Sequence, residues 1–291
     1  MDSELLRWLY HRLLHDPTLD HTAGCTYSLG LITLIYFYAV LLNRSPHWAC
    51  DRHNWPVGYR RLRLPSYSQF NRRLKRPETG RLIGQINDEL AQRLPHSDLK
   101  FVDGKPLTVS GFSKDRDATV GQVPGGYARG YKLHLLVDSL GRIEAFDVTG
   151  LQAGEPVVMR KMLQDRDLGG LLLRGDSNYD SNRLYRQVAD DGGRLVASRK
   201  RPFTGIGHHP QHPDRLRAIR ELERSPQSLR EHRRIRAEVE RRIGHLTNLP
   251  CGLWALPGFV RRRVRVRRWV SAKIALFHLY RVLTLTSQRA A

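Results

Sequence analysis

Cysteine is nearly absent from this chain. The three that occur, Cys25, Cys50 and Cys251, are an odd number without CxxC spacing, which excludes a disulfide framework, suggests no zinc site and suits a reducing cytoplasm. Acidic residues are also scarce, with 28 Asp and Glu facing 49 Lys and Arg for a formal charge of +21. That imbalance implies a polyanionic partner, nucleic acid before others; the plainer alternative is a solvated basic surface. Arginine dominates the basic set, which favours bidentate phosphate contacts. One stretch imitates a membrane span: Ala23 to Leu42 carries no charge, ends in GLITLIYFYAVLL and is about long enough to cross a bilayer. Thr26, Ser28 and Thr33 dilute it, and no basic segment of signal-peptide type precedes it. It reads as a buried helix, and no membrane partner is expected. No internal repeat is present, and 291 residues suffice for one large domain or two ordinary ones.

Residues 1–95 read as an all-helical domain for DNA binding or dimerisation. Leu5, Leu6, Trp8, Leu9, Leu13 and Leu14 recur at helical spacing ahead of the buried stretch. In PSYSQFNRRLKR, Ser66 is an N-cap and Tyr67, Phe70 and Leu74 share an apolar face. The other face presents Ser68, Gln69, Asn71, Arg72, Arg73 and Lys75, side chains able to reach base edges and phosphates. A recognition helix of helix-turn-helix type and an ordinary charged surface helix both fit these residues. The tryptophans read as packing residues.

Beyond Pro95 the pattern becomes α/β. Leu99, Phe101 and Val102 form a short strand ending in Asp103, and Gly130 to Gly150 holds two β-rich runs flanking a hairpin turn at Asp138 to Gly141. The loop before that hairpin contains Gly121, Gly125 and Gly126. A helix from Glu155 to about Arg166 precedes LLLRGDSNYDSNRLY, Leu171 to Tyr185, around which the rest is organised. Its apolar run suits a strand covered on both faces, and Asp176 stands where the strand runs out, the edge at which open α/β sheets bind ligands. Asp176 as a mere cap of the following helix fits as well. Helix to about Asp190 and strand Arg194 to Ser198 complete a mixed sheet flanked by helices.

A basic insertion at about residues 199–227 reads as mobile and suited to phosphate, its His208, His209 and His212 solvated rather than ligating. The helix Leu229 to Leu246 puts Ile235, Val239, Ile243 and Leu246 on one face. Glu238 lies one turn from both Arg234 and Arg242, a solvated ion-pair arrangement, whereas Glu240 borders the apolar stripe and can turn inward. RRRVRVRR, Arg261 to Arg268, reads as a phosphate contact or a basic loop before an apolar helix from Trp269 to about Leu285.

Asp103 and Asp176 at adjacent strand ends, joined by Glu240, make a three-carboxylate cluster that repels itself unless cations occupy it. Hard divalent ions answer that need, Mg²⁺ with Mn²⁺ as a substitute. Two ions about 3.5 to 4 Å apart serve in-line phosphoryl displacement, so a nucleic-acid phosphodiester is the expected substrate. Lys132 beside Asp103 either touches phosphate or is a solvated strand-face lysine.

The series FVDGKPLTVS, SKDRDATVG, YARGYKLHLLVD, GDSNYDS and RAEVERRIGHL resembles the DDE transposases of bacterial insertion sequences, in their hairpin-carrying, cut-and-paste group. The resemblance covers nearly the whole chain. It implies a ribonuclease-H-like catalytic domain over residues 96–291 and a catalytic, metal-binding triad of Asp103, Asp176 and Glu240. Asp103 would bridge both ions, with one of the other carboxylates on each. It further implies terminal inverted repeats and target DNA as double-stranded partners, a homodimer in the synaptic complex, and a bacterial cytoplasmic, nucleoid-associated setting. Of the family's signature of tyrosine, arginine, glutamate and lysine, Arg236 and Glu240 match, while Arg233 stands at the tyrosine position and Thr247 at the lysine position. Arg233 and Arg236 are candidate DNA contacts. A ribonuclease-H-like nuclease without strand transfer, and an inactive sequence-specific DNA-binding protein, are the alternative classes.

Overall fold

The computed structural model describes residues 2–19, 25–248, 252–253 and 256–290. Cys251, one tryptophan (Trp254) and the first two residues of the uncharged stretch, Ala23 and Gly24, lie outside them. The chain divides into two compact units: Met1–Leu94, His245–Val260 and Val264–Ala291 make the first, and Pro95–Gly244 with Arg261–Arg263 the second.

The first unit is helical. Helix α1 (Asp2–Leu14) buries Leu5, Leu6, Leu9 and Leu13. Helix α2 (Leu29–Leu41) is capped by Ser28, whose Oγ accepts from Leu31 N at 3.1 Å, and is buried along nearly its whole length. An all-round apolar helix of this kind needs neighbours on every side. At Gly30 a Cβ would lie 1.9 Å from Leu13 O, so only glycine lets α1 and α2 approach this closely. Among the described residues no helix is long and apolar enough to cross a membrane. After α3 (Pro46–Ala49), Trp55 donates its Nε1–H to Ala49 O and stacks on Tyr38 at 4.0 Å between centroids. Helices α4 (Tyr67–Leu74) and α5 (Pro77–Gln92) follow.

The last helix, α10 (Arg263–Ala290), starts inside the arginine run, where Val266 is fully buried and Val264 exposed. Thus RRRVRVRR is mostly helix rather than loop. Its core stretch from Ala272 to Leu279 packs in the first unit, with Trp269 edge-on to Tyr36 at 6.4 Å. Cys25 and Cys50 are free thiols, and burial pushes Cys50 up to about 12.

The second unit is a six-stranded mixed sheet. Strand β1 (Leu99–Thr108) lies antiparallel to β3 (Gly126–Asp138), with Asp103 opposite Leu135. On its other edge β1 runs parallel to β5 (Leu172–Gly175), which runs parallel to β6 (Arg194–Ala197). The outer edge of β3 is shared by β4 (Ile143–Gly150) and β2 (Thr119–Val123). The order β4-β3-β1-β5-β6, antiparallel on one side of β1 and parallel on the other, is a ribonuclease-H-like sheet. The expected hairpin closes where Asp138 Oδ1 accepts from Leu140 N and Arg142 N, with Gly141 at φ 88°.

The glycine-containing segment before it is not a loop but the β2–β3 hairpin. Gly125 and Gly126 take its turn at φ 85° and 150°, values that glycine reaches without a Cβ penalty. Helices α6 (Glu155–Leu163) and α7 (Asn182–Asp190) cover one face, burying Met159, Leu163, Leu184 and Val188 with Leu173 and Val102.

The basic insertion is more ordered than its composition suggests. It contains α8 (Pro213–Leu222), whose Arg215 forks onto both oxygens of Asp180 at 2.7 and 2.6 Å. Arg199 Nε donates to Glu223 Oε1 at 2.6 Å, closing the segment at its base. His212 caps α8 through Nδ1, while His208 and His209 are exposed. Helix α9 (Pro226–Asn248), which belongs to this unit up to Gly244, buries Val239 and Ile243 as its stripe implies.

Candidate active site

Strand alternation decides what β1 offers to each face. Phe101, Asp103, Lys105 and Leu107 point one way, and Val102 and Gly104 the other. Asp103 thus sits mid-strand on the face away from α6 and α7, half-buried. Asp176 follows β5 directly, and its Oδ1 accepts from Asn178 N at 2.8 Å, capping a one-turn 3₁₀ segment, Ser177–Tyr179. It therefore stands at the strand end and caps this turn rather than the following helix, α7, whose N-cap is Ser181.

Helix α9 is registered on the sheet by His232, a residue with no warning in the sequence pattern. Its buried ring lies 3.0 Å from Arg174 and 3.3 Å from Gly175 O, at the end of β5 next to Asp176. Burial and the Arg174 charge hold His232 down to about 4, so it is neutral at pH 7. Four residues on is Arg236, and four more Glu240, successive positions of one helical stripe. Glu240 does not turn inward. Its side chain is 51% exposed and accepts from Arg236 at 2.8 Å. Glu238 pairs with Arg242 at 3.1 Å, while Arg234 bonds Glu231 instead.

The three carboxylates share one electrostatic neighbourhood. Asp103 is pushed up to about 6, first by burial and second by the charge of Glu240, with Asp176 adding to it; the Gly104 N–H and Arg236 oppose the rise. Lys105, half-buried on the same face, is lowered by its burial and supported by Asp103. As the side chains stand, no group of three or more His, Cys, Asp or Glu among the described residues is close enough to hold a metal ion. The donor chemistry fits a hard cation and the rotamers are not gathered, Glu240 being turned onto Arg236.

This perturbation has a measurable sign. A folded-state value near 6 against an unfolded 3.8 means the folded chain holds the proton more tightly. The stability it contributes is complete below about pH 4 and lost as pH rises through about 6. In EDTA, Asp103→Asn removes that loss, so between about pH 4 and 7 the variant should gain on the order of 1–3 kcal/mol relative to wild type. Urea midpoints at the two pH values measure it; a difference independent of pH would mean that Asp103 is unperturbed.

Behind β1 lies a polar group absent from the sequence expectations. Glu155, in the first turn of α6, is 8% exposed and its Oε1 accepts from Lys132 Nζ at 2.9 Å. Lys132 is therefore an ion-pair partner rather than a solvated lysine. A groove of about 620 Å³ beside the pair is lined by Gly104, Gln122, Asn178 and Lys200 among others.

In the first unit, the candidate base-reading residues of α4 separate. Ser68 and Arg72 are exposed. Gln69 closes a capping box with Ser66, accepting from its N–H at 3.1 Å, and Arg73 is turned to Cys25 Sγ and Tyr27 O. Asn71 is half-buried, and Tyr67 is 41% exposed rather than part of the buried face of Phe70 and Leu74. In the second unit, Arg233 is exposed on α9.

The family model described as Transposase DDE domain matches residues 95–277. None of the curated proteins compared with the chain matches it. Among solved structures, the cryo-EM structure of a piggyBac transposase synaptic complex with hairpin DNA aligns with a TM-score of 0.48 at 10% identity, covering 100% of this chain and 73% of that one.

Proposed function

The chain belongs to the transposase DDE domain family, an enzyme family acting on DNA, and we propose that it binds the terminal inverted repeats of its own insertion sequence, cleaves them and transfers the strands to target DNA. The observation that carries this reading is the family match over residues 95–277, beside a fold with Asp103 on β1, Asp176 at the end of β5 and Glu240 on the helix that His232 anchors there. Carboxylates gathered at one site are costly unless cations offset them.

Asp103, Asp176 and Glu240 would hold divalent ions, Mg²⁺ or Mn²⁺ in its place, which suit an all-oxygen donor set. When bound, such ions supply an activated water and stabilisation of the leaving oxygen. The chain's own residues do the rest. Asp176 is held at the strand end by the turn it caps, and His232 fixes the register of α9. Glu240 leaves Arg236 to join the other carboxylates, and Arg236 then turns its guanidinium to a DNA phosphate, with Arg233 beside it. A 3′-hydroxyl released by water attack is the nucleophile for the second phosphodiester.

We assign end recognition to the helical first unit and chemistry to the second. The +21 charge suits duplex DNA at both, and a homodimer would pair two ends in a bacterial, nucleoid-associated setting. On α4, Arg72→Ala in the full chain should weaken binding to the terminal repeats by roughly 1–3 kcal/mol if that side chain reads a base. Titration against repeat and scrambled duplexes separates the cases: an equal loss on both makes Arg72 a phosphate contact.

The whole reading is tested by incubating the full chain in Mg²⁺ with a duplex bearing the element's ends and a second, target duplex. Cleavage with joining of the 3′ end supports it; cleavage without joining makes the protein a nuclease, and end binding alone makes it an inactive DNA-binding protein.

A further inference from the structure

The face of β1 opposite Asp103 carries groups that the chemistry above leaves unused. At Gly104, the residue after Asp103, a Cβ would fall 2.7 Å from Glu155 Cδ, so the Glu155 carboxylate occupies the space where a side chain would be. That carboxylate is nearly buried and tied to Lys132 at 2.9 Å. On the same side of β1 stands Tyr179, fully buried in the core that also holds Val102, Met159 and Leu184. Its hydroxyl oxygen is buried and has no hydrogen-bond partner among the described residues.

The position of Tyr179 is over-determined. Its N–H bonds Asp176 O at 3.1 Å, closing the turn that the Asp176 side chain caps. Its Cβ lies 2.9 Å from where a Cβ of Gly175 would be, so glycine at 175 makes room for it. Apart from burial, the influences that hold the Tyr179 proton on are the negative charges of Glu155, Asp103 and Asp176, in that order. A buried donor without a partner is costly and rare, and here it sits among carboxylates.

We propose that Tyr179 is a positioning residue for strand cleavage: its hydroxyl is the donor held for the Glu155 carboxylate, and Lys132, Glu155 and Tyr179 together brace the Gly104 peptide on which Asp103 depends. The link to Asp103 is the strand itself: Gly104 follows Asp103 on β1, and the Glu155 carboxylate fills the space on its other face where a side chain would be. This rests on the reading of Asp103 as a catalytic carboxylate.

Tyr179→Phe removes one oxygen and nothing else. If the ring only packs, losing an unpartnered hydroxyl leaves the melting temperature unchanged or higher and cleavage unaltered. The positioning role predicts the same melting temperature with turnover lower by roughly 10- to 100-fold, an unchanged KM for the DNA end, and a Mg²⁺ half-saturation raised several-fold. Glu155→Gln, which keeps the shape and an acceptor, should retain most of the activity.

Tb³⁺ luminescence on the DNA-free full chain reads cation binding without catalysis, and Tyr179→Phe should weaken it. Wild-type turnover and Tb³⁺ affinity in Tyr179→Phe, or an activity loss that follows a fall in melting temperature, would overturn the proposal. If wild type binds Tb³⁺ but cuts nothing, the transposase reading fails and the Tb³⁺ comparison still judges Tyr179. If it does neither, both fall.

Discussion

Asp103→Asn and Asp176→Asn should each reduce Mg²⁺-dependent cleavage of the element's ends by at least about 10³-fold, while binding of those ends stays intact or tightens. The magnitude follows from what a metal-held carboxylate does: transition-state charge stabilisation by bound ions is several kcal/mol, and about 4 kcal/mol is a thousandfold in rate. The sign of the binding change follows from electrostatics, because a lost carboxylate near the scissile phosphate also removes repulsion toward it. Fold damage is not expected to confuse the result. Asp103 is pushed up to about 6 by its burial and its acidic neighbours, so its amide should fold at least as well above that pH. Asp176→Asn keeps an acceptor for Asn178 N, so the turn it caps survives. Gel-shift and cleavage on one DNA end, with both variants beside wild type, make the comparison. Either variant cutting at the wild-type rate would remove that residue from the site.

The parts of this site that were legible in the sequence are those whose chemistry is local. LLLRGD announces a covered strand followed by a carboxylate, and β5 with Asp176 is where it predicts. Asp138 to Gly141 carries its own turn chemistry, and the stripe of α9 carries its period. What stayed hidden depends on partners distant in the chain. Strand β2 gives no alternating pattern because its one buried position is Gly121 and Val120 faces out. Helix α8 is masked by prolines and arginines whose ordering comes from Asp180 and Glu223.

Glu155 looks like any first-turn acid placed for the helix dipole. Only the missing side chain at Gly104 and the distant Lys132 make it a buried group. The fate of the arginine run was equally illegible, since two valines two positions apart, Val264 and Val266, do not reveal that only Val266 is buried.

Glu240→Gln should eliminate strand cleavage, and Glu238→Gln should leave it near wild type, with folding stability nearly equal in the two. Exposure does not distinguish these glutamates, at 51% for Glu240 and 50% for Glu238, and each pairs with an arginine one turn away. Losing such an exposed pair costs only about 0.3–0.5 kcal/mol in either case. Direction distinguishes them. Two residues along a helix is about 200° of rotation, so both cannot address the sheet edge. The anchor of His232 on Gly175 sets which one does, because Glu240 lies two four-residue steps along the same stripe. Its charge acts on Asp103, whereas that of Glu238 acts on Arg234. Activity therefore separates the variants where stability does not. If Glu238→Gln lost cleavage and Glu240→Gln kept it, α9 would be rotated by half a turn in the working enzyme, the His232 anchor would have to break, and Glu238 would be the third carboxylate.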